Sequence, residues 1–172
     1  MNMYATQHLP PETRAALKKT FIDFYEKAYA GWTKEQLGFP PEELNTWLNK
    51  QFHENVGKFF IANKDNTCFV TYTTERDVVN IFKIVGSDED KVKLFHTLAR
   101  FYNDKPYYGV IRKDNQAAVD FYVKQGCKIV DNKFPQYSNT HYIGLEMPQE
   151  TIKKITAGGL KSSELTQVPL IW

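Results

Sequence analysis

Few side chains in this 172-residue sequence can move a proton or attack a carbonyl, and they are scattered. Tyr122, beside Phe121, offers a phenol that can give a proton to a leaving group. With no ligand next to it, the same ring is a packed aromatic. Cys127 is either a thiol nucleophile or a small apolar filler at the start of a strand. His53, His96 and His141 occur singly, so each is an isolated proton carrier or a structural side chain. Glu75 and Asp77 fall in a turn, where solvation explains them. Asn80 and Lys83 interrupt an apolar strand without supplying an acid. One run is denser: Ser87-Asp88-Glu89-Asp90, followed by Lys91 and Lys93. Acids in a first helical turn stabilise it by about 0.3–1 kcal/mol each, and Ser87 suits an N-cap.

Several chemistries are excluded by what is missing. Cys68 and Cys127 are the only cysteines, so neither a metal-ligand spacing nor a disulfide framework can be read. There is no P-loop, no dinucleotide fingerprint, no Gly-x-Ser-x-Gly and no His-Glu-x-x-His. Net charge is formally +2, with 22 Lys+Arg against 20 Asp+Glu, which gives no strong nucleic-acid or membrane field. Lys18-Lys19 and Lys153-Lys154 are short pairs that a solvated face accounts for. No stretch is apolar enough to span a bilayer, and no signal peptide is expected. A reducing, cytoplasmic setting follows as the expectation.

The elements that must position these groups are readable in part. Asn115 is a good N-cap and Gly126 a good stop, which bound a short helix with Ala118, Phe121 and Tyr122 on one face. A strand over 106–111 precedes it and another over 128–130 follows, so the unit predicts a parallel strand-helix-strand arrangement. Upstream, Pro10-Pro11-Glu12 opens a helix whose apolar stripe runs through Leu17, Phe21, Phe24, Ala28 and Trp32. Thr33 to Gln36 has capping-box form, and a helix is expected from about 42 to 52. Strands over 58–62, 68–74 and 78–85, joined by short turns, predict an antiparallel meander. A helix over about 88–102 and a last strand over 140–147 complete the order. Met3-Tyr4-Ala5 is a weak strand signal. The expected division is a domain over 1–148 and a C-terminal tail over 149–172. The tail ends in Val168-Pro169-Leu170-Ile171-Trp172, an apolar tip that would be costly to solvate and is expected to dock.

The run Asn115, Ala118, Phe121, Tyr122, Lys124 and Gly126 resembles the pattern Asn-x-x-Ala-x-x-Phe-Tyr-x-Lys-x-Gly of the GNAT acyltransferase superfamily. Cys127 replaces the usual aromatic after the glycine. The element order over residues 10–148 is similar as well. The resemblance implies an α/β fold: a GNAT-like mixed sheet, an antiparallel meander followed by a parallel strand-helix-strand unit, flanked by helices. It implies an acyl-CoA donor, acetyl-CoA or another, and an amine-bearing small molecule or protein as acceptor. Carried over by position, Tyr122 is the general acid for the departing thiolate. Asn115 lies near the pantetheine arm. The backbone of Ile84, Val85, Gly86 and Ser87 is the strand end that pairs with it.

One part of the family pattern is degenerate. The loop that holds the cofactor pyrophosphate carries Arg/Gln-x-x-Gly-x-Gly/Ala, whose glycines and free N–H groups admit phosphate. Here it reads Val85-Gly86-Ser87-Asp88-Glu89-Asp90. One glycine is present, too early, and three carboxylates stand where a polyanion binds. Two functions therefore remain open. One is a divergent N-acyltransferase. The other is a non-catalytic GNAT-like protein with a binding, assembly or inhibitory role, having lost acetyl-CoA binding, as a diverged viral or mobile-element copy would. A homo-oligomer formed through the C-terminal tail is a further expectation.

Overall fold

A computed structural model describes residues 3–5, 9–55, 57–155, 159 and 161–164. Seven strands form one sheet: β1 (Met3–Ala5), β2 (Phe59–Ala62), β3 (Phe69–Glu75), β4 (Val78–Val85), β5 (Tyr107–Arg112), β6 (Lys128–Val130) and β7 (Tyr142–Met147). Their spatial order is β1-β2-β3-β4-β5-β7-β6. Every neighbouring pair is antiparallel except β4 and β5, which run parallel. The helices are α1 (Pro11–Ala28), α2 (Lys34–Leu37), α3 (Leu44–His53), α4 (Asp88–Phe101), α5 (Gln116–Lys124) and α6 (Gln149–Lys154). The mixed sheet, with α4 crossing between its parallel pair, is the expected architecture, and the weak N-terminal signal is its edge strand.

Local chemistry accounts for the element ends. Pro11 occupies the first turn of α1. Thr33 and Gln36 form the full reciprocal cap of α2. Asn115 accepts from the Ala118 N–H at the start of α5, and Gly126, with φ of 101°, turns the chain out of it. Two boundaries move. The segment expected as helix from 42 begins as a 3₁₀ turn over Pro41–Glu43, because two prolines precede it. The last strand starts at Tyr142, because the N–H groups of His141 and Tyr142 both turn back onto the Ser138 carbonyl.

Two apolar layers sandwich the sheet. On one side, Leu94, Phe95 and Leu98 of α4 and Ile152 of α6 pack on Val70, Tyr72 and Val79. On the other, Leu17 and Phe21 of α1 and Leu48 and Phe52 of α3 pack on Phe60, Phe69 and Val85. The described part of the tail touches the domain. The Lys64 N–H donates to the Glu164 carbonyl, and Gly159 lies so close to Thr97 that a Cβ would stand 2.6 Å from its backbone nitrogen. The apolar tip over 168–172 lies outside the described residues.

β4 carries the decisive irregularity. Thr71 pairs with Lys83 and Tyr72 with Ile81, so Phe82 is an extra residue, a β-bulge. Pairing of β4 with β5 covers only Val79–Ile81 against Tyr107–Gly109. Beyond it the two strands diverge, β4 running on to Val85 and β5 to Arg112.

Candidate functional site

The divergence of β4 and β5 opens a cleft of about 100 Å³ between the two layers. Its closed end is set by Gly109, where a Cβ would lie 3.0 Å from the Ile81 carbonyl oxygen. Both strand ends line it, together with Tyr25 of α1, Tyr29 just beyond its end, Trp47 of α3, and Ala118 and Tyr122 of α5. The bulge decides what β4 presents. It flips the alternation, so Lys83 lies over the rings of Phe21 and Tyr25, 5.8 and 5.5 Å from their centroids, while Ile84 joins the α4 layer.

Of the residues singled out by sequence, Ile84, Asn115 and Tyr122 line this one cleft. Val85, Gly86 and Ser87 are not among its lining residues. Val85 is buried in the α1–α3 layer. Gly86, with φ of 140°, is pressed on Cys68, whose Sγ would lie 2.8 Å from an added Cβ. Ser87 caps α4 by accepting from the Asp90 N–H. Only Gly86 and Ser87 separate β4 from α4.

Burial raises the Tyr122 phenol well above the ordinary tyrosine range, so it keeps its proton and can act only as a donor. Burial also pushes the Cys127 thiol up to about 12, which removes it as a thiolate nucleophile at neutral pH. His141 packs against Gly38, whose added Cβ would meet its Nε2 at 2.9 Å. Glu75 and Asp77 are exposed in the β3–β4 turn.

Three residues of the cleft escaped attention or orientation from sequence. Lys83 is partly buried, and desolvation first, then the charge of Arg112, lower its pKa from 10.5 to about 8. Lys91 turns inward: its side chain is 7% exposed, 3.2 Å from an Asp88 oxygen that faces solvent, and 4.4 Å from the Phe121 centroid. Its position one turn before Leu94 and Phe95, on the buried stripe of α4, is the signal that marks it. Arg112 is 5% exposed. Its Nη1 donates to the Leu37 and Gln36 carbonyls at 2.7 and 3.3 Å, and its guanidinium lies 5.0 Å from the Trp47 ring and 4.8 Å from that of Tyr142. No local sequence signal marks it, because its partners are about 75 residues away. No aspartate or glutamate is among the described residues lining the cleft. Glu54 lies in an adjoining recess, with Lys58 and Lys83.

Among the described residues no cluster suits a metal ion, and no helix is long and apolar enough to cross a membrane. No protein-family profile matches the sequence, and no curated protein matches it. Solved structures do match. A PaiA N-acetyltransferase from Thermoplasma acidophilum, in complex with coenzyme A, superposes with a TM-score of 0.64 at 12% identity, over 86% of this chain and 99% of that one. An N-acetyltransferase from Staphylococcus aureus superposes with a TM-score of 0.50 at 12% identity, over 86% of this chain and 100% of that one. At such identities the likeness concerns the backbone, and with the strand order and the splayed parallel pair it gives this chain the fold of the GNAT N-acetyltransferases.

Proposed function

We propose that the protein is an N-acyltransferase that moves an acyl group from an acyl-CoA to an amine in the cleft between β4 and β5. The observation that carries this reading is the opened end of the parallel pair with Tyr122 at its wall. The fit to a donor is uneven along its length. Past Ile81 the β4 backbone has no β5 partner, and Ile84, Ala118 and Tyr122 give an apolar channel suited to a pantetheine arm, with Asn115 at its side. The link into α4 fits a diphosphate poorly. Gly86 packs directly against Cys68, and Asp88 and Glu89 extend into solvent beside it. The lysines that follow, Lys91 and Lys93, are engaged with Asp88 and Glu89.

An acyl-CoA supplies an activated thioester, whose carbon–sulfur bond breaks as the carbon–nitrogen bond forms. Tyr122 holds the proton that the departing sulfur requires, since burial keeps the phenol protonated. Lys83, lowered to about 8, is neutral in an appreciable fraction of molecules near pH 7.5 and can take the proton of the attacking amine. The apolar walls exclude water that would compete for the thioester.

A second reading, a non-catalytic binding protein of the same fold, is favoured only by the short link Gly86-Ser87 and the acidic first turn of α4 that follows it. Fold does not decide between the two. Calorimetry with acetyl-CoA, paired with detection of free thiol over a set of primary amines, does. Saturable binding with amine-dependent thiol release supports the enzyme. Absence of both sinks it. A donor at a hundred times its dissociation constant adds about 2.7 kcal/mol of stability, which raises the melting temperature by about 5–10 °C in a chain of this size.

A further inference from the structure

The three cations of the cleft are not equally accounted for. Lys91 has Asp88. Lys83 feels Glu54 across the recess. Arg112 makes no ion pair among the described residues, although it is more than nine-tenths buried. Nη1 is occupied by the two carbonyls at the end of α2, a structural tie. Nε has no hydrogen-bond partner. The guanidinium lies among the rings of Trp47, Tyr142 and, at 6.0 Å, Phe39. The neutral phenols of Tyr29 and Tyr142 are within its hydrogen-bonding reach, but rings and phenols bring no negative charge as an oxygen anion would. A buried charge lacking its counterion is costly to maintain, and this one lines the cleft where an acceptor must sit.

We infer that the acceptor is an amine that also bears a carboxylate, and that Arg112 is the residue that binds that carboxylate. This rests on the acyl-transfer reading above and names its substrate class. The charge pattern favours it over a diamine or polyamine. A second ammonium would enter a space lined by Lys83, Lys91 and Arg112, with no lining acid to receive it. A carboxylate brings the missing counterion, and one of its oxygens suits the guanidinium Nε that still has no partner. The same cationic surroundings lower the pKa of the acceptor's own ammonium, which favours the neutral, nucleophilic amine.

The test uses the full chain and matched probes: 3-aminopropanoate, 4-aminobutyrate and 6-aminohexanoate, each against the diamine of the same carbon count. Binding is read by calorimetry with and without acetyl-CoA, and acetylation by thiol release. The expected result is that at least one amino acid binds ten-fold or more tightly than its diamine. Arg112→Gln should abolish that preference and Arg112→Lys should retain part of it, with the fold of each variant checked by circular dichroism. If Arg112→Gln does not fold, the matched comparison on the wild type and on Arg112→Lys still decides. Equal or tighter binding of the diamines, no binding of any amino acid at millimolar concentration, or an amino-acid preference that survives in a folded Arg112→Gln overturns the inference. Preference for the amino acids without any thiol release leaves the carboxylate site standing and removes the acyltransferase reading. Thiol release with diamines alone does the reverse.

Discussion

Replacing Lys83 by methionine separates what this lysine does for the fold from what it does for chemistry. In the folded protein its pKa is lowered from 10.5 to about 8, mainly by desolvation. The unfolded chain therefore holds the proton more tightly, and folding carries a penalty. That penalty is complete below about pH 8 and fades as pH rises towards 10.5. A fall of this size corresponds to about 3 kcal/mol, and water reaching a partly buried side chain reduces it. Methionine keeps the stem against Phe21 and Tyr25 and loses only the weak cation–ring attraction at 5.8 and 5.5 Å, about 0.5–1 kcal/mol. Lys83→Met should thus be more stable than wild type at pH 7 by about 1–2 kcal/mol, a rise of roughly 2–8 °C in melting temperature. The advantage should shrink between pH 8 and pH 10. Urea unfolding at pH 7, 8.5 and 10 measures both. A destabilised variant, or an advantage that does not change with pH, would refute the account of a desolvated lysine. In the transfer assay the same variant should lose the rise in rate expected of wild type as pH approaches 8.

Three other outcomes follow from the cleft. Tyr122→Phe should lower kcat about 10²-fold or more with little change in KM, because the donated proton matters only as the sulfur departs; steady-state kinetics decides, and an unchanged kcat removes Tyr122 from the chemistry. Neutralising the acidic turn in Asp88→Asn/Glu89→Gln/Asp90→Asn should tighten acetyl-CoA binding, since each carboxylate repels phosphate, with salt weakening the effect; calorimetry giving identical affinities would place the diphosphate elsewhere. Gly109→Ala should cost about 1–2 kcal/mol in thermal unfolding, because the new methyl meets the Ile81 carbonyl at 3.0 Å and β4 must shift; unchanged or raised stability would mean that the strands have room to spare.

The local grammar of the chain made most of the fold legible. Asn115 and Gly126 bound α5 because a cap and a left-handed turn are properties of single residues. The meander followed from link lengths and apolar runs, but the strands on either side of α5 do not pair, because β7 inserts antiparallel between β5 and β6 and the parallel pair is β4 with β5. The site was harder to see. A strand that reads Val78-Val79-Asn80-Ile81-Phe82-Lys83-Ile84-Val85 gives no hint that it carries an extra residue, since both of its faces are apolar and either register looks buried. Arg112 follows the expected strand as one more polar residue, and only the distant contact with Leu37 reveals that it is inside. Lys91 was readable in principle, because helical spacing sets it on the face of Leu94, but its charge argued for solvent until the aromatic rings around it were in view.

The single surplus residue in β4 also constrains how this protein can change over evolutionary time. Deleting Phe82 would restore an unbroken ladder with β3 and leave Lys83 opposite Thr71 and Val85 opposite Phe69, each facing as it does now; one residue more or fewer between Lys83 and Val85 would, if the upstream register held, turn Val85 out of the α1–α3 core. One codon gained or lost in that downstream stretch would unseat a buried valine, whereas loss of the surplus residue itself would leave Lys83 on its present face. Length in β4 beyond the bulge is therefore a heritable character as strictly filtered as any side chain in it, and lineages that keep this cleft should vary that stretch by substitution and not by insertion or deletion.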